Sequence, residues 1–216
     1  MNLSEDIKKY SIRFVPLGNS LTIGHGAGKG QSWPDLLVHQ LKKLGLDITL
    51  LDNPARSGWT SQLTLDHEVP VFESLDVNFG SLLIGANDMA KGVDLKVFKR
   101  NYSEILDRMQ KKLPQPDQLF LLNLPDFAFT PAARKYSGQL HIEPYLKAFN
   151  DFIEEQASAR NLELVDLHSL TQQLGPNPAL YTWDGLHPSA KGYTEWEKAI
   201  RPVALKVLEK AVATKK

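Results

Sequence analysis

Short apolar runs alternate with segments of helical periodicity along this chain, and that alternation constrains the fold more than any other feature. Residues 12–17, 47–51, 80–84, 118–122 and 163–166 are brief β-like runs. Between them lie stretches of helical spacing. In residues 33–44 the apolar positions are 33, 36, 37, 41 and 44. In residues 94–113, Leu95, Phe98, Tyr102, Ile105, Leu106 and Met109 share one face, because side chains three and four apart lie on one side of a helix. Residues 143–160 and 189–213 read as two further helices, the second closing the chain.

A strand–helix–strand series of this kind implies a parallel sheet covered by helices on both faces, with right-handed crossovers. The expected class is α/β, a flavodoxin-like three-layer sandwich on a five-stranded parallel sheet of order 2-1-3-4-5. With 216 residues, no internal repeat and no low-complexity stretch, the chain is expected to form a single domain, residues 1–216.

In open parallel sheets, ligands bind beyond the carboxyl ends of the strands. Three polar segments open at that edge. Gly18-Asn19-Ser20-Leu21-Thr22 follows the first run, Asn53-Pro54-Ala55-Arg56-Ser57-Gly58 the second, and Gly85-Ala86-Asn87-Asp88 the third. A fourth, Asp184-Gly185-Leu186-His187-Pro188, precedes the last helix. Ser20 is a hydroxyl at the mouth of a strand, and Gly18 permits a tight turn before it. Alone, a serine there more often caps a helix, and Asn19 is a second cap candidate. Asp184 and His187 are three apart and share a side in a turn. The carboxylate can accept from His187 Nδ1–H, which leaves Nε2 free to take a proton from Ser20. An isolated Asp-x-x-His would read as a surface pair; beside Ser20 it reads as a base with its orienting acid.

The N–H groups of Ser20 and Gly58 and the amide of Asn87 are candidate oxyanion donors. Separately, Gly58 equally suits a turn and Asn87 a cap. Asp88 is expected to order its loop rather than to serve as the orienting acid. Two rival motifs fail. A Gly-x-Ser-x-Gly elbow needs glycine where the chain has Thr22. A phosphate loop needs glycine where it has Ile23, and Ser or Thr where it has Gly30. His25, His39, His67, His141 and His168 show no metal spacing, so neither a metal nor a cofactor is expected. His25 and His141 lie in or beside the site loops; surface polar residues are the favoured reading, with contact to substrate the alternative. Trp59, Trp183, Phe127, Phe129 and Tyr136 are expected to line an acyl or alcohol pocket, although ordinary packing suits Trp183 equally well.

The four blocks resemble the SGNH (GDSL-like) hydrolase family. Ser20, Gly58, Asn87 and His187 fall on the positions for which that family is named, and Asp184 on its third triad member. The resemblance implies ester or thioester hydrolysis through a serine nucleophile. Asn19 stands where the family commonly has Asp, which removes a charge beside the nucleophile. Residues 77–81 are also more polar than is usual there. The expected activity is metal-independent esterase action on small or medium acyl esters, acetyl among them. Carbohydrate deacetylase, lysophospholipase and thioesterase action remain open. A catalytically silent glycan- or lipid-binding module is the rival from another class.

Bulk properties agree with a small-molecule ester substrate. Formal net charge is zero, which argues against nucleic acid as the main partner. Cysteine is absent, which excludes thiolate nucleophiles, disulfides and Cys-ligated metals. The apolar runs are too short for a membrane span, and residues 1–13 lack the apolar core of a signal peptide. A cytoplasmic protein is the simplest expectation, and homo-oligomerisation stays open.

Overall fold

The computed structural model describes residues 5–133 and 142–213. Its five parallel strands are β1 (Ile12–Gly18), β2 (Ile48–Leu50), β3 (Phe79–Leu83), β4 (Leu119–Leu122) and β5 (Glu163–Val165). They lie in the order β2-β1-β3-β4-β5, as the alternation of patterns implies. The helices are α1 (Glu5–Lys8), α2 (Ser20–Ile23), α3 (Trp33–Lys43), α4 (Ser61–Leu63), α5 (Val69–Ser74), α6 (Ala86–Ala90), α7 (Leu95–Lys112), α8 (Ile142–Ala159), α9 (Leu167–Leu174) and α10 (Ala190–Ala213). Helices α3 and α10 pack on one another on one side of the sheet, and α5, α7 and α8 form the layer on the other. Among the described residues no helix is long and apolar enough to cross a membrane.

Aromatic side chains fill the core on both sides. Phe14 meets Phe79 at 5.0 Å and Trp33 at 6.4 Å between ring centroids. Phe98 of α7 stacks on Phe149 of α8 at 4.3 Å. The polarity of residues 77–81 has a structural cause. Asn78 Oδ1 accepts from the Arg13 N–H at 2.7 Å, and Asn78 Nδ2 donates to the Ser11 carbonyl at 2.9 Å. The side chain thus completes pairing at the start of β1. Gly80 lets α5 sit close to the sheet, since a Cβ there would lie 3.2 Å from the Phe72 ring.

One stretch carries helix without a periodic signal. Between α4 and α5, residues Thr64–Glu68 form a π-helical turn, closed by the Val69 N–H on the Thr64 carbonyl. Pro70 follows immediately and has no N–H to continue an ordinary helix.

Candidate active site

Strand β1 delivers Ser20. Its buried run of Phe14, Val15 and Leu17 ends at Gly18, where the chain folds sharply into α2. A Cβ at Gly18 would lie 2.2 Å from Thr22 Oγ1 and 2.7 Å from the Leu83 carbonyl oxygen. Glycine is therefore required by contact. Asn19 caps the short helix by accepting from the Leu21 N–H at 3.1 Å. Ser20 begins that helix, and its own N–H has no partner among the described residues. Gly24, at φ 84°, ends it in the left-handed region.

Asp184 and His187 belong to a tight turn before α10. The Thr182 N–H donates to the His187 carbonyl at 2.8 Å, and Tyr181 bridges Pro188. Asp184 Oδ1 accepts from Thr182 Oγ1 (2.8 Å) and from the N–H groups of Leu186 (2.8 Å) and His187 (3.0 Å). Oδ2 faces His187 Nδ1 at 2.6 Å. On the other side of the ring, His187 Nε2 lies 2.8 Å from Ser20 Oγ. Burial alone would push the Asp184 carboxyl up, but the bonds from His187, Leu186 and Thr182 hold it well below the usual carboxylate range. Burial lowers the His187 imidazole, opposed by Asp184 and assisted by His25. An anionic carboxylate beside a neutral imidazole is the charge state a general base requires.

The second and third blocks are tied to each other. Asp88 is buried and accepts from both the N–H and the hydroxyl of Ser61. Asn87 Nδ2 donates to the Trp59 carbonyl at 2.8 Å, and Lys91 Nζ donates to the Gly58 carbonyl at 2.7 Å. Asn53 Nδ2 donates to the Thr22 carbonyl at 3.1 Å, joining the second block to the first. Gly58 sits at φ 81°, and its N–H is unpaired among the described residues. Ser20, Gly58, Asn87 and His187 all line one cavity of about 1070 Å³. Leu21, Met89, Val93, Leu95, Phe127 and Phe149 supply much of its apolar wall.

Both the sequence and the fold are similar to those of known proteins. The GDSL-like Lipase/Acylhydrolase family matches residues 17–194. This chain belongs to that family. The GDSL hydrolase is 24% identical over 181 residues to an arylesterase from Vibrio mimicus, a match covering 82% of this chain and 80% of that protein. Its fold is similar to the family 3 carbohydrate esterase of Clostridium thermocellum, with TM-score 0.71, 21% identity, and 94% and 100% of the two chains covered. It is likewise similar to the psychrotrophic esterase EstA from Pseudoalteromonas sp., with TM-score 0.72, 21% identity, and 91% and 98% covered. Membership makes the chain a carboxylic ester hydrolase.

The hydrolase thus gathers Ser20, Gly58, Asn87, Asp184 and His187 from four distant segments. The aromatic expectations fare less well. Phe127 lines the cavity, but Trp59, Phe129 and Trp183 do not. Trp59 lies tilted against His67, with 5.3 Å between ring centroids, and Trp183 is 88% exposed, pointing to solvent from a turn whose other side chains are bound inward. Tyr136 and His141 lie outside the described residues. His25, read as a surface residue, belongs to the cavity wall instead. Its N–H donates to the Ser20 carbonyl at 2.9 Å, its Nδ1 meets Ser57 Oγ at 3.0 Å, and its ring lies 4.6 Å from that of His187. The signal was its position five residues after Ser20, just past the glycine that ends α2. Ligand atoms of His25, Asp184 and His187 come within 4.8 Å of one another, a grouping that spacing along the chain could not reveal. Asp184 and His187 are already bonded to each other within it.

Proposed function

We propose that this hydrolase is a serine esterase, cleaving esters of small or medium acyl groups through an acyl-enzyme. The observation that carries the reading is the unbroken series of short contacts from Asp184 through His187 to Ser20 at an apolar cavity. Ser20 Oγ attacks the ester carbonyl while His187 Nε2 accepts its proton. The resulting oxyanion is held by the N–H groups of Ser20 and Gly58 and the amide of Asn87. Asp184 keeps the imidazole oriented and stabilises its charged form. As the intermediate collapses, His187 returns the proton to the leaving alcohol. Water then attacks the acyl carbonyl as His187 takes its proton; the bond to Ser20 Oγ breaks, His187 returns that proton to Ser20, and the acyl group leaves as the acid.

The cavity volume bears on the acyl group. At about 1070 Å³ it lies at the upper end of small-molecule sites, which span about 300–1,000 Å³. It therefore has room for a chain of several carbons, and acetyl would leave much of it unfilled. The esterase EstA is inhibited by monoethylphosphonate, a reagent of the class that tests this mechanism. A fluorophosphonate should label Ser20 alone, and Ser20→Ala should lose both label and activity while melting like the parent. A label mapped to another serine overturns the assignment. Rates over p-nitrophenyl acyl lengths and acetylated sugars should peak above acetyl; a preference confined to acetyl would reject the chain-length reading.

A further inference from the structure

The backbone of β1 leaves one polar group in need of a partner. Its residues address the two neighbouring strands alternately. Ile12 donates to Asp47 and Phe14 accepts from Leu51 on the β2 side, while Arg13 accepts from Asn78 on the β3 side. Pro16 and Gly18 therefore face β2, but pairing with β2 has ended at Phe14↔Leu50. Proline has no N–H to satisfy. Gly18 does, and the donor is buried just before the nucleophile. Glu68 Oε2 accepts from it at 2.7 Å. The other oxygen, Oε1, accepts from Thr64 Oγ1 at 2.7 Å. Glu68 is completely buried and closes the π-helical turn, a distortion often found at functional sites.

We infer that Glu68 is a positioning residue for the nucleophile: its carboxylate, by holding the Gly18 N–H, sets Ser20 against His187, and turnover depends on whether that carboxylate is charged. The inference rests on the reading of Ser20 as nucleophile. The path is short and stiff. Gly18 is wedged between Thr22 and Leu83 with no room for a side chain, and two residues on Ser20 Oγ lies 2.8 Å from His187 Nε2. A shift at Gly18 is thus passed on to Ser20.

Burial pushes the Glu68 carboxyl up to about 7, with the Gly18 and Thr64 bonds and the Arg56 charge pulling it partly back. The carboxyl therefore changes charge in the neutral range. Helices α5 and α7 pack on its turn; α5 carries Glu73, paired with Arg108 of α7, and the Arg100 guanidinium of α7 donates to Asn101. In β1, Arg13 is paired with Asp76, and α2 and β3 contain no ionisable residue. On its own turn, Asp66 accepts from Gln62 and His67 packs beside Trp59. A carboxylate can accept both bonds as charge-assisted ones, and the protonated acid cannot.

The test is the dependence of kcat on pH, measured by pH-stat on a simple butyrate ester from pH 5 to 9. The parent should show two ionisations: the His187 limb, and a second rise of about three- to tenfold near pH 7 with little change in KM. Glu68→Gln keeps an acceptor for Gly18 and turns a donor toward Thr64, so it mimics the protonated acid. It should lose the second rise and remain at the parent's lower level. Glu68→Ala should fall further at every pH. A parent profile with one ionisation overturns the inference even if neither variant folds. So does a Glu68→Gln profile that keeps the second rise. Ser20→Ala, run alongside, separates the cases: activity remaining there would reject the nucleophile itself, whereas an inactive Ser20→Ala with an unchanged Glu68→Gln rejects only the role of Glu68.

Discussion

Replacing Asn87 by alanine removes two interactions of different kinds. One Asn87 N–H donates to the Trp59 carbonyl at 2.8 Å; the other is left for an oxygen in the cavity that Asn87 lines with Ser20 and Gly58. The first is a neutral bond at a partly exposed site, and its loss should cost about 1 kcal/mol of stability. The second strengthens only as the carbonyl oxygen gains charge. Its loss should lower kcat about 10²–10³-fold, equivalent to about 2.7–4 kcal/mol of transition-state stabilisation, with a much smaller change in KM. Tm and kcat measured on one preparation separate the two. A variant that melts lower yet turns over normally would make Asn87 a tie between blocks and no part of the oxyanion site. A large kcat loss with an equal rise in KM would point to ground-state binding instead.

Three further outcomes follow from the same contacts. Since burial and His25 lower the His187 imidazole, the acid limb of kcat/KM should reflect an ionisation below about 6.5, and His187→Ala should abolish that limb with the activity; a limb centred above 7 would contradict the burial argument. Asp184→Asn should reduce kcat by about 10⁴-fold, because an amide no longer selects the tautomer that frees Nε2, and a loss under tenfold would reject the orienting role. Glu68 binds its proton more tightly folded than unfolded, at about 7 against 4.5, so stability falls as pH rises from about 4.5 to 7 and stays low above. The difference corresponds to roughly 3 kcal/mol, and Glu68→Gln should raise Tm at pH 8 more than at pH 5; equal shifts at both pH values would refute it.

Much of this molecule is legible in one dimension because its signals are local. Short apolar runs mark the strands and period-3.6 patterns the long helices, and a sheet built from such a series has few possible orders. The stretch from 61 to 74 escapes this reading because Pro70 and the π-helical turn break its periodicity into pieces of three, five and six residues. Trp183 misleads for a related reason: an aromatic beside Asp184 looks like a pocket wall, but the turn that aims Asp184 and His187 inward leaves Trp183 outside.

The site divides in the same way. Residue types and order along the chain are enough to nominate Ser20, Gly58, Asn87, Asp184 and His187, since each stands in a short block whose chemistry can be named from its own residues. Whether the blocks meet depends on bonds spanning as many as 167 positions, such as His187 Nε2 to Ser20 Oγ, and no local pattern carries that information. The same holds more strongly for His25 and Glu68. In sequence one is a polar residue in a glycine-rich loop and the other the end of an Asp-His-Glu run that resembles a solvated face. Only the fold brings His25 back over Ser20 and turns Glu68 under Gly18, because only there does β2 diverge from β1 and leave a buried N–H that a distant side chain must satisfy.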